Sequence, residues 1–138
     1  MSRIMALDAG DKRIGVALSD SLQITAQGLT VLANLPGVLE EIADLCRDNQ
    51  VEKIVVGLPK NMNNTLGPRA EWALDFGQKV AAATGLPVVM ADERLTSLAA
   101  NRVLLQADLS RRKRRRAVDK LAATLILQNY LEASKNEG

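Results

Sequence analysis

Asp8, Asp92, Glu93 and Asp119 are carboxylates placed where a chain gains little from a carboxylate unless it is put to use. Asp8 closes the short run Ile4-Met5-Ala6-Leu7, and Asp92-Glu93 directly follows the apolar stretch Pro87-Val88-Val89-Met90-Ala91. Asp119 is the second residue of V-D-K-L-A-A-T-L-I-L, where about 100° per residue places it in the apolar arc of Ala122, Ala123, Leu125 and Ile126. A charge in such a setting is costly unless a cation faces it. Carboxylates gathered within a few ångström of one another repel, and divalent cations relieve that repulsion. Mg²⁺ takes oxygen ligands and keeps waters and phosphate oxygens in its shell. Two such ions roughly 3.5 to 4 Å apart serve an in-line phosphodiester displacement by water. The sequence has no histidine, which excludes His-based triads, His-ligated zinc and imidazole acid-base chemistry. Each acid also has a plainer use: an Asx turn for Asp8, an ion pair with Arg94 for Glu93, a helix-dipole contact for Asp119.

The cations point toward a polyanion. Arg111, Arg112, Lys113, Arg114, Arg115 and Arg116 are consecutive and carry +6, while the remaining 12 basic and 16 acidic side chains leave the rest of the chain at −4. Six adjacent cations fit contact with a nucleic-acid backbone better than a merely solvated surface. Lys12 and Arg13 at a hairpin turn, Lys60 in an Asn-rich loop and Arg94 beside Glu93 are further candidate phosphate contacts. Aromatic residues are too few for a base-stacking platform, and Trp72 and Phe76, four apart on a helix, read as core packing.

Positioning these residues requires elements that the patterns supply. The 138 residues, 47% hydrophobic and 25% charged, suit one globular domain spanning 1–138. Two apolar runs flanking Asp8, Gly10, Asp11 and Lys12 predict a β-hairpin, and residues 24–32 a third antiparallel strand. Asn34 or Leu35 is placed to cap a helix through Val38, Leu39, Ile42, Ala43, Leu45 and Cys46, closed by Asn49. Residues 53–57 read as a strand covered on both faces, 60–68 as a loop, and the stretch through Trp72 to Gly85 as a helix. A strand over 87–91, a helix over 98–106 and a last helix over about 117–132 complete the pattern. This order predicts an α/β domain with a mixed sheet of five strands, three antiparallel and then parallel ones, with helices on both faces. If the first and fifth strands are parallel neighbours, Asp8 and one of Asp92 and Glu93 share an edge. Period-two alternation sends those two acids to opposite faces, and spacing alone leaves the choice open.

No run reaches the roughly 18 apolar residues of a membrane span, and Cys46 is a lone cysteine in a helical pattern, which is consistent with a cytoplasmic protein without membrane attachment. Oligomeric state, monomer or homodimer, is not legible.

From end to end the chain resembles the YqgF/RuvX family of RNase H-like nucleases, described as Holliday junction resolvases and as pre-16S rRNA processing nucleases. The segments that carry the likeness are residues 7–17 (L-D-A-G-D-K-R-I-G-V-A), Ser19-Asp20, Ile24-Thr25-Ala26, Val56-Gly57-Leu58-Pro59, Asp92-Glu93-Arg94-Leu95-Thr96-Ser97, and Asp119 with Ala122-Ala123 and Ile126-Leu127. The resemblance implies an RNase H-like fold and a nuclease dependent on Mg²⁺ or Mn²⁺, with Asp8, Glu93 and Asp119 as catalytic and metal-binding positions. It resolves the Asp92/Glu93 choice toward Glu93. Ala9 and Asp11 depart from the Val and Thr of many relatives, and a fourth acid of some resolvases is replaced by Ala122, which implies weaker binding of a second metal.

The leading expectation is an endonuclease acting on the 5′ end of precursor 16S rRNA. Its rivals are a resolvase of branched DNA and a non-catalytic rRNA-binding module. Asp8-x-Gly10 also resembles the phosphate turn of actin-like ATPases, which need two such domains where this chain supplies one.

Overall fold

The computed structural model describes residues 2–58, 67–92 and 111–137. Among the described residues, five strands and three helices follow in the order β1 (Arg3–Ala9), β2 (Arg13–Ser19), β3 (Ala26–Ala33), α1 (Val38–Asp48), β4 (Val51–Leu58), α2 (Pro68–Thr84), β5 (Val88–Asp92) and α3 (Arg111–Glu137). The five strands form one sheet in the order β3-β2-β1-β4-β5. β2 is antiparallel to β1 and β3, and β4 runs parallel to β1 and β5. The predicted mixed sheet is therefore present, with one correction. β1 and β5 are parallel but not neighbours, because β4 lies between them.

Alternation divides the sheet's side chains between two cores. Met5, Leu7, Val16, Ile54 and Val56 pack with Val38, Ile42 and Cys46 of α1 and Phe76 and Val80 of α2. On the opposite face Ile4, Ala6, Ala17 and Val55 pack with Ala123, Ile126, Leu127 and Leu131 of α3. Small side chains on this second face let α3 lie close to the strands. At Gly28 on β3, even a Cβ would come within 2.7 Å of Lys120 Cγ. Cys46 is a core side chain, 3.8 Å from Met5 Sδ, and burial pushes its thiol up to about 11.

Three boundaries differ from the sequence pattern, each for a local reason. β3 begins at Ala26 rather than residue 24 because the Asp20 carboxylate takes the backbone N–H of Ile24 at 2.7 Å and of Thr25 at 3.1 Å. α1 is capped by Gly37, at φ 96, rather than by Asn34 or Leu35. α3 starts six residues before the expected Ala117, since Arg and Lys are good helix formers and no Gly or Pro interrupts 111–137. The helix expected over 98–106 and the loop over 60–66 lie outside the described residues. Trp72 also departs from the core reading: Phe76 is buried, but Trp72 stacks on it with 5.4 Å between ring centroids and is 38% exposed.

Candidate metal and nucleic-acid site

Asp8 is the penultimate residue of β1, half-buried and opposite Gly15 of β2. Ile4 and Ala6 face α3, so strand alternation puts Asp8 on the same face, at the edge where β1, β4 and β5 all end. Edges formed by the carboxyl ends of parallel strands are where α/β sheets collect ligands.

The turn after Asp8 is held from a distance. Gly10 N–H donates to the Arg13 carbonyl at 2.9 Å. Gly10 suits the turn, because a Cβ there would sit 3.0 Å from that same oxygen, tighter than an ordinary contact. Asn34, at the far end of β3, then clasps the turn. Its backbone N–H donates to the Lys12 carbonyl at 2.9 Å, and its side-chain amide donates to the carbonyls of Gly10 at 2.9 Å and Asp11 at 3.4 Å. Asn34 is the site-supporting residue that sequence reasoning missed; its residue type signals a cap or turn, and nothing in its spacing shows a reach of 24 positions.

On β5, Ala91 packs on the α3 side, while the register pairs Leu58 with Asp92. Leu58 belongs to the cluster with Ala70 and Ala73 of α2. Position 92 thus falls in a row on the face opposite Asp8. On α3, position 119 lies three and four residues before Ala122 and Ala123 and seven before Ile126, which are buried against the sheet. It therefore continues the sheet-facing stripe of the helix by one turn. Asp8 and position 119 belong to the same side of the sheet. β5 stands about 9.6 Å from β1, two strand spacings across.

Glu93, Lys60 and Arg94 lie outside the described residues. Among the described residues no three His, Cys, Asp or Glu side chains cluster as metal ligands. Lys12 is exposed on the turn and Arg13, half-buried, opens β2, so both stand at the Asp8 edge. The run Arg111–Arg116 forms the first turn and a half of α3, with no acidic residue in that first turn.

Asp20, which follows the opposite end of β2, is used structurally. Its carboxyl is held below the usual range by hydrogen bonds from the backbone of Ile24 and Thr25. Beside it, buried Ser19 Oγ accepts from Ile4 N–H at 2.8 Å and donates to the Asp20 carbonyl at 2.9 Å, where the β1–β4 register shifts. No helix of the described residues is long and apolar enough to cross a membrane.

The family model of RuvX, the Holliday junction resolvases, matches residues 2–133. The chain belongs to this family. It is 55% identical over 138 residues to a "Putative pre-16S rRNA nuclease" of Moorella thermoacetica, with 99% of each protein covered. A protein of the same name from Streptococcus sanguinis is 54% identical over 135 residues, covering 94% of this chain and 97% of the relative. Among solved structures, Thermus thermophilus RuvC in complex with a Holliday junction substrate superposes with a TM-score of 0.60 at 17% identity, covering 99% of this chain and 97% of that one. The Fowlpox virus resolvase bound to Holliday junction DNA gives 0.56 at 12% identity, covering 96% and 98%. At such identities the two likenesses establish the fold, and the RuvX family chain has the RNase H-like architecture of these resolvases.

Proposed function

We propose that this RuvX family chain is a metal-dependent endonuclease that hydrolyses phosphodiester bonds in precursor 16S rRNA, trimming its 5′ end. The observation that carries the reading is that Asp8 stands at the edge where the parallel strands end, on the face covered by α3, the helix that carries position 119. Relatives at 54 and 55% identity, named as pre-16S rRNA nucleases, support RNA as the substrate.

Asp8, Glu93 and Asp119 would hold Mg²⁺ or Mn²⁺. The donor set fits: carboxylate oxygens suit these hard cations, and a chain without histidine, whose one cysteine is buried in the core, offers little to zinc. When bound, such cations supply an activated water and charge compensation for the leaving oxygen. The protein's own part is placement. β1 fixes Asp8, the Asn34 clasp holds the turn that follows it, and α3 carries position 119 one turn before Ala122 and Ala123. Asp92 falls in a row on the other face, which favours its neighbour Glu93 as the third acid. Lys12, Arg13, Lys60, Arg94 and the run Arg111, Arg112, Lys113, Arg114, Arg115 and Arg116 would bind the substrate backbone. Residence in the cytoplasm goes with this reading.

Asp8→Asn keeps the size of the side chain and removes its charge. This variant is expected to lose metal-dependent cleavage of a precursor 16S rRNA fragment by at least about a hundredfold while unfolding at the wild-type temperature. Cleavage at the wild-type rate would remove Asp8 from the site. The description of the family as Holliday junction resolvases favours a second substrate, branched DNA. Competition between a four-way DNA junction and the rRNA fragment separates them, and preferential cutting of the junction would overturn the RNA assignment. Tight, salt-dependent RNA binding without cleavage in any Mg²⁺ or Mn²⁺ titration would instead mark a binding module.

A further inference from the structure

Trp72, the chain's single tryptophan, stacks on buried Phe76 and is itself 38% exposed. With Phe76 it lines a cleft of about 270 Å³ between α1 and α2, to which Val38 and Leu39 of α1, Asn34 before that helix, and Asp75 and Lys79 of α2 also contribute. Leu35, beside Asn34 in the chain, is exposed as well. A tryptophan and leucines grouped around a cleft mark an interaction site, where singly scattered apolar side chains would not. The cleft lies toward the N-terminal ends of both helices, and Asn34 is also the clasp of the turn after Asp8. It opens on the side of the sheet opposite α3 and the basic run.

We infer that this cleft is a docking site for a basic segment of a partner protein, with an arginine laid on Trp72 and a neighbouring aliphatic side chain between the helices. Charge decides the occupant. α1 and α2 together carry Glu40, Glu41, Asp44, Asp48, Glu71 and Asp75 against Arg47, Arg69 and Lys79, a net −3. Of those cations, Arg47 is paired with Asp44, and Lys79 with Asp75 at 3.1 Å. A nucleic acid needs cations free to neutralise its phosphates, and here it would meet carboxylates. A second copy docking through the same face would set −3 against −3. An arginine-bearing segment suits both features of the cleft. Its guanidinium is drawn by the carboxylates and stacks on an indole, the best aromatic partner for a cation, while the apolar walls take the aliphatic neighbour. Complementary charge also steers such a segment to this face.

Trp72 is the one tryptophan, so its fluorescence reads this cleft directly and without reference to cleavage. The full chain titrated with a synthetic hexapeptide of arginine and leucine should show a saturable change in that emission, with affinity falling at least about threefold between about 50 and about 200 mM salt. A hexapeptide of glutamate and leucine, and a single-stranded RNA hexamer, should leave the emission unchanged. Asp75→Lys turns a carboxylate of the cleft into a cation at an exposed helix position, so the melting temperature should hold while affinity for the arginine peptide drops at least about tenfold. Trp72→Ala, followed by calorimetry in place of fluorescence, should weaken the same peptide at least about threefold. No response to the arginine peptide, an equal response to the glutamate peptide or to the RNA, or unchanged affinity in Asp75→Lys overturns the inference.

Discussion

Asp8 depends on residues that are distant in sequence and do no chemistry themselves. Asn34 donates three hydrogen bonds into the turn after Asp8, two of them from its side chain. Asn34→Ala removes the latter pair and should lower stability by about 1 kcal/mol, because carbonyls at a surface turn recover water. Cleavage should fall by more than this loss of folded protein explains, since the turn directly follows Asp8 and carries Lys12; a rate unchanged at a temperature where the variant is fully folded would show that the clasp only stabilises. At the other end of the hairpin, Ser19→Ala leaves the buried N–H of Ile4 without an acceptor, at a cost of about 1–3 kcal/mol in chemical denaturation and with no effect on the rate of the folded enzyme. Asp20 gives a pH dependence. Its folded pKa lies below the ordinary 3.8, so its contribution to stability is complete above that value and is lost as pH falls through the lower folded value. Asp20→Asn should therefore show a shallower acid limb in a pH series of melting temperatures, and an identical limb would contradict the assignment.

Among the elements, α3 combines the most functions. Its middle buries Ala122, Ala123, Ile126 and Leu127 on the sheet, and its later part is tied to β4 where the Lys53 ammonium donates to Tyr130 Oη at 3.0 Å. Its first turn and a half carries six cations, adverse to the positive end of the helix dipole, and phosphate bound there would relieve that conflict. Replacing Arg111, Arg112 and Lys113 with Gln should weaken RNA binding and reduce the steepness of log K against log salt by about 0.7 for each phosphate that is no longer neutralised. An unchanged slope would place the phosphate-binding cations elsewhere. The apolar period of this helix was legible in the sequence, because helical spacing converts directly into a face. Its early start was not, because charge repulsion reads as a breaker while Arg and Lys propensities favour helix. The five strands were legible from β-branched runs, whereas the insertion of β4 between β1 and β5 depends on long-range pairing that no local pattern encodes. Asp8 stood out as an acid at a strand end. Asn34 did not, because its partners are carbonyls in another turn.

Over the whole molecule, the two faces of the sheet differ in what they offer a ligand. The face with α1 and α2 is closed by a large core, and α1 displays Glu40, Glu41, Asp44 and Asp48 against a single Arg47, a surface that repels phosphate. Asp8 and α3, whose first turns hold the basic run, lie on the other side of the sheet, and on the nuclease reading a polyanion would be steered there. On the nuclease reading, acids gathered at the Asp8 edge would repel one another in the absence of cations. Added Mn²⁺ or Mg²⁺ should therefore raise the melting temperature, by an amount equivalent to about 2.7 kcal/mol when the free ion is at a hundred times its dissociation constant. Asp8→Asn should gain less from the ion than the wild type. A calorimetric series in which both proteins gain equally would show that the cations bind somewhere other than the Asp8 edge.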